Sequence, residues 1–327
     1  MGSSIFLMGP LLARFGMVRI SKPGGCVIGQ RPIDYHLRGM RALGGKVEDI
    51  HGDIVCKSGR LYGSSITLDF PSVGATENLI MAAVLADGVT VIENAAREPE
   101  IVDLANFLRT AGADIEGAGK DTIRIRGVHH LHSTEYRIIP DRIVAGTLLI
   151  AAAATKGRVT LHGVDASHLG AILGKLRQAG VRVDTGHDII TVEYDGPYQG
   201  VDVRTAPHPG FPTDLQAPFT AMLATARGTS VIQENVFEAR YKHVNELIRM
   251  GADISVDLRS AIIRGVESLS GATVESTDLR GGAALVIAGL MADGITRVEG
   301  LSHVDRGYQQ LEMTLRDLGA DIRRITV

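Results

Sequence analysis

The sequence predicts an α/β protein of two lobes, each assembled from copies of one helix–strand unit. Three observations carry this expectation. Five segments read helix, glycine, strand: Leu11 to Ile20, Met81 to Ile92, Leu148 to Leu161, Ala221 to Ile232 and Val286 to Val298. Their glycines, Gly16, Gly88, Gly157, Gly228 and Gly294, recur every 66–72 residues. A second helix in each copy ends at another glycine (Gly44, Gly112, Gly180, Gly251, Gly319), spaced 68–71 residues. Finally, Pro140 in the run Arg137 to Asp141 interrupts the strand pattern between the second and third copies. The expected lobes are therefore residues 1–139 and 140–327.

The second helices show apolar residues at helical period: Ile101, Leu104 and Leu108; Leu169, Ile172 and Leu176; Val244 and Leu247; Tyr308, Leu311 and Leu315. Each closing glycine suits a left-handed cap, where a side chain would clash. A strand start such as Ala113-Asp114-Ile115 follows, then a β-rich stretch such as Thr122 to Arg126 or Ala261 to Arg264. One unit thus reads helix, strand, helix, strand, strand. Its period is too long for the common short solenoid repeats and fits compact α/β lobes.

Composition bounds the function. The 327 residues are 45% hydrophobic and 22% charged, a globular profile. A net charge of -3 and the absence of Trp argue against a nucleic-acid or membrane-surface partner. Two cysteines, Cys26 and Cys56, are no disulfide framework and fit a reducing cytoplasm. No apolar run is long enough to span a bilayer. No CxxC, HExxH or GxSxG motif occurs. The His129-His130-Leu131-His132 run lacks a second cluster at ligand spacing, so no metal and no cofactor is expected. Gly117 to Asp121 fails the P-loop pattern and reads as a hairpin turn.

Three places could carry chemistry. The loop Lys22 to Pro32 sets Cys26 among Arg19, Lys22 and Arg31. Cationic neighbours lower a thiol pKa, so Cys26 is either a reactive thiol on a lid or an incidental loop residue. Cys56 alternates with apolar neighbours and reads as a packed small hydrophobe. The loop Arg204 to Asp214 holds three prolines, with His208 and Asp214. It is either a rigid acid/base platform or a crossover in which Asp214 caps the next helix. Arg97, Arg142, Arg240, Arg280 and Arg306 stand at turns before or at helix starts. They either grip a doubly anionic ligand or pair with surface acids.

Four stretches together resemble one family: Pro23 to Pro32, Glu93 to Asp103, Thr205 to Asp214 and Asp305 to Tyr308. They are similar to the enolpyruvyl transferases, and among these to the UDP-N-acetylglucosamine 1-carboxyvinyltransferases, over essentially the whole chain. The resemblance implies a two-lobed inside-out α/β barrel with three copies per lobe. With five copies counted, the first lobe is expected to be incomplete, lacking about 90 residues upstream. That N-terminal portion is then a possible partner. The family's Lys-Asn pair near its start is not found here, and Gly2 stands where the family has Arg.

The implied reaction joins phosphoenolpyruvate to the 3'-hydroxyl of UDP-N-acetylglucosamine and releases phosphate, the first committed step of peptidoglycan synthesis. The resemblance makes Asp214 the base for the hydroxyl and Cys26 the acid. It makes Arg31, Arg280 and Arg306 an anion clamp, and gives His208 a role supporting the site loop. Arg31, Pro32, Ile33, Asp34, Ser72, Gly74 and Val236 match positions that bind the UDP-sugar. The competing expectations are a non-catalytic, binding-only member and 3-phosphoshikimate 1-carboxyvinyltransferase activity.

Overall fold

The computed structural model describes residues 2–22, 33–194 and 196–325. After a 3₁₀ turn (Gly2–Leu7), the first copy contains α1 (Met8–Phe15), β1 (Met17–Ser21), α2 (Asp34–Ala42), β2 (Lys46–Ile50) and β3 (Asp53–Lys57). The second contains β4 (Ser65–Thr67), α3 (Val73–Ala83), β5 (Val89–Glu93), α4 (Pro99–Thr110), β6 (Asp114–Glu116) and β7 (Thr122–Arg126). The third contains α5 (Arg142–Ala154), β8 (Arg158–His162), α6 (Gly170–Gln178), β9 (Arg182–Gly186) and β10 (Ile189–Glu193). The fourth contains β11 (Val203–Arg204), α7 (Gln216–Leu223), β12 (Thr229–Gln233), α8 (Lys242–Arg249), β13 (Asp253–Asp257) and β14 (Ser260–Arg264). The fifth contains β15 (Thr273–Glu275), α9 (Leu279–Met291), β16 (Arg297–Glu299) and α10 (Leu311–Asp317). One compact unit ends at Ile139 and the other begins at Pro140.

The repeat differs from its sequence reading in one respect. Three copies carry an extra leading strand, β4, β11 or β15, which pairs in parallel with the strand after the first helix. Each makes a βαβ crossover. These strands span only two or three residues, too few to show a period of two. Beyond them the hairpin pairs antiparallel, giving the orders β4-β5-β7-β6 and β11-β12-β14-β13. Without the leading strand the orders are β1-β3-β2 and β8-β10-β9.

The second glycines behave as expected in all five copies. Gly44, Gly112, Gly180, Gly251 and Gly319 have φ between 92° and 102°. Each closes its helix the same way: the glycine N–H bonds three residues back, and the next N–H bonds five residues back. In the first copy these are Gly44 to Arg41 at 2.9 Å and Gly45 to Met40 at 2.8 Å. This paired closure satisfies carbonyls that would otherwise be orphaned. Among the first glycines, Gly157 is the exception, since Lys156 takes the left-handed turn there, with φ 55°.

Burial explains why the helices lie inside and the sheets outside. Every residue of α7 is buried, as are eleven of the thirteen in α5. In the second unit, α5, α7 and α9 pack on one another, and small residues allow the approach. A Cβ on Gly146 would stand 2.5 Å from the Leu215 side chain. The sheets expose one face and bury the other: β7 buries Ile123 and Ile125 while Thr122, Arg124 and Arg126 face water. In the first unit, α1 and α3 make the interior contact. A Cβ on Gly9 would meet the Asn78 carbonyl oxygen at 2.2 Å. Cys56 is fully buried with its Sγ 3.6 Å from Met8 Sδ, and burial pushes its thiol up to about 11. It is the inert apolar packer its neighbours implied. Gly117 and Gly119 turn the β6–β7 hairpin, as their sequence suggested.

Candidate active site

In the second unit, the loop from Thr205 to Phe211 closes on itself. Ala206 N–H bonds Phe211 O at 3.0 Å, and Gly210 N–H bonds Pro207 O at 2.9 Å. A 3₁₀ turn (Thr213–Leu215) then places Asp214 ahead of α7. Asp214 does not cap that helix. Its Oδ1 accepts from Arg240 Nη2 at 2.5 Å, and Arg280 Nε lies 3.4 Å away. Burial pushes the Asp214 carboxyl upward, but Arg240 and Arg280 outweigh it and hold the group below the ordinary aspartate range. It is ionised at neutral pH. Its side chain keeps 41% of its surface accessible, while those of Arg240 and Arg280 keep only 4% and 14%. The pair of arginines forms a buried floor beneath an open carboxylate.

Arg280 enters from the start of α9, where Asp278 caps the backbone through Arg280 N–H and Gly281 N–H at 3.0 and 2.9 Å. Its guanidinium stacks on Tyr308, with Cζ 5.3 Å from the ring centroid. Burial lowers the Arg280 pKa, but Asp214 and Tyr308 more than offset this, so it stays charged. Arg280 Nε and Nη1 have no hydrogen-bond partner. Arg306 ends a 3₁₀ turn (Val304–Arg306) packed on α9, and is exposed. The next residue, Gly307, lies against Leu279, beside Arg280: a Cβ on it would stand 2.8 Å from Leu279 Cδ2.

Behind Asp214 is a residue that sequence reasoning missed. Glu234 is fully buried. Its Oε1 accepts from Thr205 Oγ1 and Val236 N–H, each at 2.9 Å, and from Phe237 N–H at 3.1 Å. Its Oε2 accepts from Thr213 Oγ1 at 2.9 Å, and Arg240 Nη1 donates to that hydroxyl at 3.1 Å. Glu234 therefore ties the turn carrying Asp214 to the loop carrying Val236. The signal was present: Ser230, Ile232 and Glu234 fall on the inward parity of β12 and its continuation.

His208 lines a recess of about 40 Å³ with Arg142, His168, Pro209 and the start of α6. Among the described residues, no three His, Cys, Asp or Glu are grouped to hold a metal ion.

In the first unit, Cys26, Arg31 and Pro32 lie outside the described residues. Ile33 and Asp34 start α2; Ser72 caps α3, accepting from Ala75 N–H at 3.4 Å, and Gly74 follows. These helix starts adjoin. A Cβ on Gly74 would stand 3.2 Å from the Phe6 ring and 3.5 Å from His36 Cε1. His36 lies 2.9 Å from Asn78 Nδ2, which also donates to Ile5 O. Burial drives His36 down to about 4, with Asp34 opposing weakly. Gly74, one of the expected sugar-binding residues, therefore stands against a neutral imidazole the sequence did not single out. Nearby on α3, burial, then Glu100 and Glu98, push the Glu77 carboxyl up to about 7.

Helix-filled, sheet-clad units of this kind, with a carboxylate over buried arginines, define a carboxyvinyl transferase fold. The chain belongs to the EPSP synthase (3-phosphoshikimate 1-carboxyvinyltransferase) family, which matches residues 1–315. Within it, the chain is 56% identical over 328 residues to UDP-N-acetylglucosamine 1-carboxyvinyltransferase 2 of Carboxydothermus hydrogenoformans, covering 100% of this chain and 78% of that protein. It is 51% identical over 327 residues to the UDP-N-acetylglucosamine 1-carboxyvinyltransferase of Shewanella putrefaciens, with 99% and 78% covered. Among solved structures, the enolpyruvyl transferase NikO from Streptomyces tendae matches with a TM-score of 0.90 at 29% identity, covering 100% of this chain and 78% of that one. EPSP synthase from Acinetobacter baumannii shares the fold at a TM-score of 0.73 and 21% identity, with 99% and 78% covered. No helix among the described residues is long and apolar enough to cross a membrane.

Proposed function

We propose that this chain transfers the enolpyruvyl group of phosphoenolpyruvate to the 3'-hydroxyl of UDP-N-acetylglucosamine, in the cytoplasm, as a step of peptidoglycan synthesis. The observation that carries this reading is the ionised Asp214 held over Arg240 and Arg280, in a chain more than half identical to a named UDP-N-acetylglucosamine carboxyvinyltransferase.

In this reading Asp214 accepts the hydroxyl proton as the sugar oxygen attacks C2 of phosphoenolpyruvate, while C3 gains a proton from Cys26. The tetrahedral adduct then loses a proton from C3 and expels phosphate, restoring the double bond. Charge builds on the departing phosphate, and Arg280 and Arg306 offer cations to it. Arg31 is assigned to the same clamp. Ile33, Asp34, Ser72, Gly74, Pro32 and the Val236 loop are assigned to the UDP-sugar, and His208 to support of the Pro-rich loop.

The test is phosphate release from phosphoenolpyruvate, with UDP-N-acetylglucosamine or shikimate 3-phosphate as acceptor. Release dependent on the UDP-sugar is expected. Release with shikimate 3-phosphate alone would transfer the reading to the other acceptor. No release with either from a folded sample would leave a binding-only member.

A further inference from the structure

Three consecutive backbone N–H groups beyond β12 turn inward. That of Asn235 donates to Thr205 Oγ1 at 2.8 Å, and those of Val236 and Phe237 donate to Glu234 Oε1 at 2.9 and 3.1 Å. A trans peptide sets each N–H opposite the carbonyl that precedes it. The Asn235 and Val236 carbonyls are therefore turned away from the buried carboxylate. At Asn235 this is visible directly: its carbonyl accepts at 3.3 Å from Arg259 Nη1, on a side chain 46% exposed. The Val236 carbonyl is turned outward in the same way, an acceptor held at a fixed aim.

The second oxygen of Glu234 serves the other loop. Thr213 Oγ1 donates to Oε2 at 2.9 Å, and Asp214 is the next residue. Thr205 joins the two sides: its hydroxyl donates to Oε1 at 2.9 Å, and its carbonyl accepts from Asn235 Nδ2 at 3.1 Å. Four donors thus converge on one side chain that is 0% exposed, so Glu234 acts only through the residues it holds. A buried carboxylate is a poor source of stability compared with an apolar side chain of similar size. What it supplies here is one rigid junction between two loops that both carry proposed substrate contacts.

We propose that Glu234 is a positioning residue for the acceptor sugar: one oxygen aims the Val236 carbonyl outward to accept a hydroxyl or amide N–H of the sugar, and the other fixes Thr213 so that Asp214 meets the hydroxyl that reacts. This rests on the roles proposed above for Val236 and Asp214. One carboxylate then sets binding and deprotonation in a single register. An acceptor whose donor group and reacting hydroxyl are spaced differently satisfies only one of the two arms.

The test cuts the arms one at a time in the full chain. Thr205→Val keeps the volume and removes the hydroxyl between Asn235 and Glu234. It should weaken the Kd for UDP-N-acetylglucosamine about tenfold, read by calorimetry, the worth of one hydrogen bond to a charged group. Its kcat for phosphate release should stay within about threefold. Thr213→Val should do the reverse, lowering kcat about tenfold with Kd little moved. Serine at either position keeps the hydroxyl and should restore the lost quantity. In Glu234→Gln the amide nitrogen should face Thr213, whose hydroxyl can rotate, because backbone N–H groups cannot. Its loss should therefore fall on kcat, and adding Thr213→Val should cost little more.

A Thr205→Val chain that binds the sugar as before overturns the proposal. So do threonine variants that lose Kd and kcat together, as a general loosening would. Should Glu234→Gln fail to fold, the two threonine variants decide the matter by themselves. If the original chain binds UDP-N-acetylglucosamine but releases no phosphate, the proposed function fails, and the Kd of Thr205→Val alone upholds or overturns the role of Glu234.

Discussion

His36 in the first unit and Asp214 in the second both stand near helix starts, yet one is neutral at pH 7 and the other is charged. His36 has burial against it and only Asp34 to oppose it. Asp214 has burial against it too, but two guanidiniums in its favour. The difference teaches that depth alone does not decide ionisation here; the partner does. The first unit sets a neutral imidazole beside Gly74, and the second keeps charge by pairing it.

The largest test of this contrast is Asp214→Asn. Loss of the paired carboxylate should cut sugar-dependent phosphate release by about 10² to 10⁴. Steady-state rates check this, and a loss below tenfold would mean that the second unit's charge is structural only.

A smaller effect should come from Glu77. Its folded pKa of about 7 lies above the ordinary 4.5, so the fold is favoured by its proton. That stability is complete below about pH 4.5 and is lost as pH rises through 7. Glu77→Gln should therefore stabilise the chain at pH 8 by roughly 3 kcal/mol at most, with the gain vanishing near pH 4.5. Melting temperatures at the two pH values check both sign and window.

His36 runs the opposite way. Its folded pKa of about 4 lies below the ordinary 6.5, so its contribution is present above pH 6.5 and lost as pH falls towards 4. His36→Gln should flatten that acid loss, by about 3 kcal/mol or less, in a pH-dependent melt. The smallest effect should be at the exposed cap of α5. Asp141 accepts from Ile143 and Val144 N–H at 2.8 and 3.0 Å, and Asp141→Ala should cost about 1 kcal/mol in a thermal melt.

Much of this was legible in the sequence, and the reasons are particular. The glycines were readable because left-handed turns exclude other residues, and all five second-helix closures followed. The interior helices were readable in part, since runs such as Leu148 to Ala154 are apolar on every side. The strands β4, β11 and β15 were not, being shorter than one full alternation. Arg240 was noticed as one arginine among five, but its partner could not be chosen, because Asp214 lies 26 residues away. Glu234 was overlooked because a glutamate after a strand ordinarily faces water; only the parity of Ser230 and Ile232 pointed inward. His36 gave no local signal at all, since its burial comes from Phe6 and from Gly74 in another helix start.

The five identical closures at the second glycines have a consequence for how such a protein could change over time. Each copy locks its chain reversal at one end of its second helix, with the same two hydrogen bonds. Of the residues proposed for chemistry, Asp214 and Arg280 lie at or just before the leading ends of the first helices α7 and α9, and Arg306 lies in the turn ahead of α10. Duplicated copies could thus drift apart at their leading ends, acquiring acids in one and guanidiniums in another, without disturbing the latch that lets each of them fold. Novelty and foldability are written in separate places on the same module.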